Sequence, residues 1–183
     1  GAATGNNFDV VVLGNHGEIV LSFSSGIKDG TGYDFAVFEN SFGDDTGNMF
    51  AELGYVEVSS DGVNFVRFDS VSRTATAIGA FGQLKVQDVY GLCGKHQNAY
   101  SKSYGTPFDL NWLKNKKPVV QGLVDLNNIQ YVKIIDIPGA PDSSDPNYNP
   151  CYDSFGNIIY DPYKTVGTGG IDLEAIGVIH TVN

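Results

Sequence analysis

The sequence predicts an all-β protein, an antiparallel sandwich with long loop insertions, and three observations carry that prediction. Runs of strand length, rich in β-branched and aromatic residues, are separated by glycine or by Asp and Asn turns. The composition, with Gly 23, Tyr 10 and Phe 11 against a single Met and a single Trp, is that of a turn-rich β protein. The irregular stretches hold many aromatic rings, which opposes disorder. At 183 residues the chain has the size of one domain, and residues 1–183 are expected to form one.

In chain order, the expected strands are Phe8 to Leu13, Glu18 to Phe23, Tyr33 to Phe38, Tyr55 to Ser59, Val63 to Phe68, Ile129 to Ile137 and Leu173 to Val182. The clearest hairpin is YVEVSSDGVNFVRF, where Asp61-Gly62 supplies the positive φ of a tight turn between two alternating strands. Between Thr74 and Val124 the alternation fails, which marks a first insertion at 74–124. A second irregular stretch, 138–170, holds five of the seven prolines. Its segment GAPDSSDPNYNP reads either as flexible or as a loop held by a cation. Helix is expected in under about a tenth of the residues. Only PFDLNWLKNKK suggests one, starting at Pro107 and lasting about two turns.

Charge narrows the function. A formal charge of −10 and a pI near 4.5 oppose nucleic acid and anionic membrane surfaces, leaving cations and neutral polar ligands. No run reaches the roughly 18 apolar residues of a membrane span, so direct insertion is not expected. The start Gly1-Ala2-Ala3-Thr4-Gly5 reads as a trimmed chain from which an export signal or lipid anchor could have been removed. Cys93 and Cys151 lack CxxC spacing and a nearby histidine pair, which argues against zinc. A disulfide between the two long loops and two free thiols are the readings left. Catalysis is not expected: GxSxG and HExxH do not occur, and His16, His96 and His180 are scattered. A glycoside hydrolase is the least favoured reading, since 21 acids let any sandwich offer a carboxylate pair.

The hairpin YVEVSSDGVNF, then IQYVKIIDI and GGIDLEAIGVI, is similar to the back half of galactose-binding-like jelly rolls, the sandwich of discoidin-type and many carbohydrate-binding modules. More narrowly, GEIVLSF, GYDFAVFENSF, the hairpin, YDPYKT and GGIDLEAIGVI resemble secreted bacterial cell-surface proteins common in Bacteroidetes, some of them surface lipoproteins of corrinoid uptake loci. The resemblance spans roughly residues 14 to 180. It implies a jelly-roll fold, an extracellular or cell-surface location with lipid anchoring in a precursor, and an outer-membrane transporter as partner.

In GYDFAVFENSF the strand period assigns a buried place to Glu39, and a bare buried carboxylate would cost several kcal/mol. GGIDLEAIGVI sets Asp172 and Glu174 on one face, and in jelly rolls of this kind the first and last strands of a sheet are neighbours. Calcium takes six to eight oxygen ligands, so Glu39, Asn40, Asp172 and Asp34 form a candidate set. The alternative is a Glu39 hydrogen-bonded to loop amides, with Asp172 and Glu174 facing solvent.

Long loops in a compact domain bind something or are disordered. Tyr90, Tyr100, Tyr104, Trp112, Tyr148 and Tyr152 are therefore candidate ligand contacts, offering flat areas with polar tips suited to sugar rings or to a corrinoid. Packing of these rings onto the sandwich is the alternative. His96, in LCGKHQNAY, is either a polar loop residue or an axial ligand to a corrinoid cobalt. The expected function is non-catalytic capture of a ligand at the cell surface. Cobalamin is placed first on the resemblance, carbohydrate second on the fold, and a structural or adhesion role third. No organic cofactor is expected; a corrinoid would be the ligand itself.

Overall fold

The computed structural model describes residues 2–44, 46–140, 143–146, 148–164 and 169–182. It holds 35% strand and 6% helix, so the all-β expectation and the low helix content are both met. Pro141, Asp142 and Asn147 of GAPDSSDPNYNP and Thr165 of YDPYKT lie outside the described residues.

The strands, in chain order, are β1 (Val11–Val12), β2 (Glu18–Ile27), β3 (Phe35–Glu39), β4 (Phe42–Gly43), β5 (Asn48–Phe50), β6 (Gly54–Ser59), β7 (Val66–Arg67), β8 (Val71–Ser72), β9 (Leu84–Lys85), β10 (Val89–Tyr90), β11 (Thr106–Phe108), β12 (Ile129–Asp136) and β13 (Asp172–Val178). Two antiparallel four-stranded sheets form, one in the order β1-β13-β3-β11 and the other β2-β12-β6-β7. Both sheets feed one hydrophobic core, in which Phe35, Val37 and Phe108 meet Val56, Val58, Val132 and Ile134, giving a sandwich-like arrangement. Phe35 stacks on Phe108 at 5.4 Å, and Phe68 packs against both. Period-2 alternation explains why these strands form: in β3 the odd-numbered residues point inward and the even-numbered ones are half-buried.

A second, smaller core of Leu53, Tyr55, Leu84, Val89, Leu92 and Ile159 lies where the insertions pack. The first insertion is thus less irregular than expected. It supplies β9, β10 and β11, and β11 joins the main sheet by pairing Thr106 with Val37 and Phe108 with Phe35. Three residues with a central proline give too little alternation to be read. Pro107 is tolerated there because β11 is an edge strand, where its missing N–H costs no ladder bond.

Other expectations need correction. Pro107 does not start a helix; a 3-10 turn, Leu110–Leu113, begins after Asp109, whose side chain accepts the N–H of Asn111 at 2.9 Å. A single α-helical turn, α1 (Lys117–Val120), follows. Phe8 to Leu13 shortens to β1, because the Asn6 side chain accepts the N–H of Phe8 and bends the chain, leaving Phe8 exposed. The YVEVSSDGVNFVRF hairpin forms, but Asp61 accepts from the N–H groups of Val63 and Asn64 and so lengthens its loop to residues 60–65. The Cys93–Cys151 bond is absent: both are free thiols. Cys93 is enclosed in the main core, where its thiol donates to the Gly54 carbonyl, whereas Cys151 packs against the second core.

Two loops use one D-x-x-G-N device. In Asp44-Asp45-Thr46-Gly47-Asn48 the Asp44 carboxylate accepts the N–H of Thr46 and Asn48. In Asp153-Ser154-Phe155-Gly156-Asn157 the Asp153 carboxylate accepts those of Phe155 and Asn157. Each carboxylate thereby replaces water as acceptor for the turn amides.

Because Phe108 is 1% exposed in the core, Phe108→Ala is expected to destabilise the protein by about 3–5 kcal/mol in urea unfolding. A loss under about 1 kcal/mol would mean that the insertion only rests on the sandwich.

Candidate functional site

Glu39 opens the site. It ends β3, is 3% exposed, and stands opposite Leu173 of β13, which brings Asp172 beside it: the Asn40 N–H donates to the Asp172 carbonyl at 3.2 Å. Glu52, Asp136 and Asp161 join from the start of β6, the end of β12 and the second insertion, each at most 7% exposed. Asp136 accepts from the N–H of Ile171 at 2.8 Å and of His16 at 3.0 Å. Glu52 accepts from Gly170 N–H at 3.2 Å, and Asp161 from Leu53 N–H at 3.0 Å. Two glycines let the chain approach this closely. At Gly94, with φ +90°, a Cβ would lie 2.1 Å from the Glu52 carbonyl oxygen; at Gly170, with φ +83°, it would lie 2.6 Å from Asp136 Oδ1.

Among the described residues no Lys or Arg forms an ion pair with any of these five acids. Burial therefore dominates their titration. It pushes Glu39 and Asp161 well above the usual carboxylate range, with neighbouring acids adding to the rise. Glu52 is raised to about 8 by burial, then by Asp172 and Asp136. Asp172 and Asp136 rise for the same first reason, and the two amide donors moderate Asp136. The Ser41 hydroxyl contacts both Glu39 Oε2 and the Gly94 carbonyl oxygen. It carries one proton and so donates to one of them at a time. Asn40 Oδ1, Asp161 Oδ1 and Asp172 Oδ1 are enclosed without a hydrogen-bond partner.

Three of the four expected metal ligands, Glu39, Asn40 and Asp172, are thus brought together. Asp34 is not. It lies at the other end of β3, about 17 Å away along the strand, where it accepts from Gly30 and Leu110 N–H and pairs with His180 at 2.8 Å. There one oxygen each of Asp29, Asp34 and Asp109 lies within 4.8 Å of the others. Glu174 does not simply face solvent: it accepts from Thr4, Gly5 and Asn98.

The aromatic candidates divide. Tyr90, His96 and Trp112 line one cleft of about 430 Å³, together with Tyr33, Asp69, Lys95 and the β11 residues. Trp112 is half exposed and packs edge-on against Tyr33 at 6.2 Å and Phe68 at 6.3 Å, so the core fixes its ring. Lys95 stands 4.8 Å from the Tyr90 ring centre and donates to the Val89 carbonyl. Burial lowers the His96 imidazole, with Lys95 adding to the effect, so it is neutral at physiological pH. The other rings lie elsewhere. Tyr100 packs against Phe42 at 5.7 Å, Tyr104 is exposed with its N–H on Gln97, Tyr148 follows Asp145 in the second insertion, and the Tyr152 carbonyl accepts the Tyr55 hydroxyl.

Sequence reasoning missed Glu52, Asp136, Asp161, Tyr33 and Lys95. Asp136 carried a signal, since it continues the inward alternation of Val132 and Ile134 as Glu39 continues that of Phe35 and Val37. Glu52 and Asp161 lie in irregular segments, where no period assigns a face. Comparison with protein families, curated proteins and solved structures finds no match for the chain.

The raised carboxyls bind protons more tightly folded than unfolded, so in metal-free protein their stabilising contribution is complete below about pH 4 and is lost as pH rises through the folded values. The opposing groups Asp44, Asp61, Asp153 and Glu174, lowered by hydrogen-bond donors, act in the acid range below that window, while His96, lowered by burial, opposes the trend inside it as pH rises toward the ordinary imidazole value. Melting temperature in chelator is therefore expected to fall between pH 4.5 and 8, at up to about 1.4 kcal/mol per pH unit for each proton released. Glu52→Gln should flatten the slope. A flat profile in the parent protein would mean that the cluster ionises freely.

Proposed function

We propose that the chain is a non-catalytic ligand-binding module of the galactose-binding-like jelly-roll type, exported to the cell surface, which holds a sugar-sized ring ligand against Trp112. The observation that carries the reading is that half-exposed indole, fixed by Phe68 and Tyr33 on the wall of the 430 Å³ cleft. A rigid flat ring loses little side-chain entropy on binding and offers its face to the apolar face of a pyranose. The volume falls in the range of small-ligand pockets. Pairing of β1 with β13, the first and last strands, supports the jelly-roll assignment. The surface location and a transporter partner rest on the resemblance alone.

A corrinoid is the second reading. Its specific support is His96, a neutral imidazole on the same wall and so in the form that coordinates a metal. A corrin ring exceeds the cleft and would lie across its mouth. Calorimetric titration against a glycan panel and cyanocobalamin separates the readings. Trp112→Ala is expected to weaken glycan binding by about 1–3 kcal/mol with the fold intact. A visible-spectrum shift with cobalamin, and no glycan heat, would reverse the order. Silence with both would favour a structural or adhesion role.

Calcium is proposed at Glu39, Asn40, Glu52, Asp136 and Asp172. The donors are all oxygen, the type a hard cation takes, and Asn40 Oδ1 and Asp172 Oδ1 are buried without a hydrogen-bond partner, whereas among the described residues the acids whose oxygens converge within 4.8 Å of one another are Asp29, Asp34 and Asp109. A cation bound only by the folded state stabilises it by about 2.7 kcal/mol at a hundredfold excess over Kd. Chelation is accordingly expected to lower the melting temperature at pH 7. An unchanged melt, with no metal found by elemental analysis, would leave the protonated network instead.

A further inference from the structure

We infer that the ring ligand of the Trp112 cleft carries a carboxylate received by Lys95, which makes it an acidic sugar of the uronate type; this rests on the binding-module reading above and names its ligand class. Acids outnumber Lys and Arg 21 to 11, and what sets Lys95 apart among the basic residues is its half-buried place on the cleft wall. Arg67 and Lys133 pair with Glu57, and Lys116 with Asp69. Lys95 lines the cleft, and among the described residues no carboxylate forms an ion pair with it.

The ammonium group has three N–H donors, and the Val89 carbonyl takes one at 2.5 Å. Two are left for a ligand. The position is half-buried, where a cation without a counter-charge is poorly solvated and gains most from an incoming anion. Nothing else on the wall supplies that anion. Asp69, the acid of the cleft, is held by Lys116, and His96 adds neither sign while neutral. The Arg73 guanidinium, 5.5 Å from the Tyr90 ring centre, adds positive charge behind that ring. A uronate matches the three features together: ring face on Trp112, hydroxyls near His96 and Thr106, carboxylate on Lys95. With a neutral sugar the ammonium keeps only the Val89 carbonyl and the Tyr90 ring, neither of which carries a full negative charge.

The chain has one tryptophan, so fluorescence excited at the red edge of the spectrum, where the ten tyrosines do not absorb, reports this cleft. Methyl glucuronide and methyl glucoside, which differ only in carboxylate against hydroxymethyl, would be titrated into the whole chain. The expected result is about tenfold or more tighter binding of the glucuronide, as for a hydrogen bond to a charged group. That preference should fall with added salt and vanish in Lys95→Gln, whose amide keeps a donor for Val89. Salt dependence in the parent protein gives the answer even if the variant folds poorly. Equal affinities for the two glycosides, or a preference that survives Lys95→Gln, would overturn the carboxylate inference and leave the sugar-binding reading standing. No response to either glycoside would overturn both.

Discussion

Five carboxyl groups gathered at one end of the sandwich, four buried and Asp172 half-buried, with no Lys or Arg ion pair among the described residues, set the constraint around which the rest is arranged. Their charge cannot be left bare in that interior, so it must be removed by protons or balanced by a cation. The backbone meets part of the demand by aiming N–H groups of Ile171, His16, Gly170 and Leu53 at the oxygens. These donors come from segments far apart in sequence. The cluster therefore joins the turn before β2, the start of β6 and the loop leading into β13 to one another as well as to the sheets.

The cleft depends on that arrangement at a distance. The Gly94 carbonyl accepts from the Ser41 hydroxyl that also contacts Glu39, and Lys95 and His96 follow it directly onto the cleft wall. On the other side, Trp112 takes its position from Phe68 and so from the main core. Each wall is thus braced by a different part of the interior. Rigid walls of this kind spare a binding site the cost of ordering its loops when the ligand arrives.

Period-2 alternation made the long strands β2, β3, β6, β12 and β13 legible, because each buries one face and shows the other. It also exposed Glu39 as an acid in an apolar place, and with the resemblance placed Asp172 beside it. Alternation needs length, and β4, β5, β9 and β11 have three residues or fewer. The three-stranded sheet β4-β5-β9 and the edge strand β11 therefore lay hidden in what read as loop. The aromatic set was legible only as a composition: nothing in the spacing of Tyr90, Tyr100, Tyr104 and Trp112 says which ring meets which, since irregular backbone fixes no face. Lys95 was overlooked because a lone lysine in an acidic chain looks like solvated surface until its neighbours are known.

Strand β11 belongs to two worlds: Phe108 fills the core, and Thr106, Pro107 and Phe108 all border the cleft. The first insertion is consequently not a cassette that homologous exchange or a chimera could replace whole, since its removal would strip an edge from the main sheet. The side chains at 90, 95, 96 and 112 can change what the cleft presents while the segment between them stays as scaffold. A protein built this way would evolve new ligands by point substitution rather than by loop exchange.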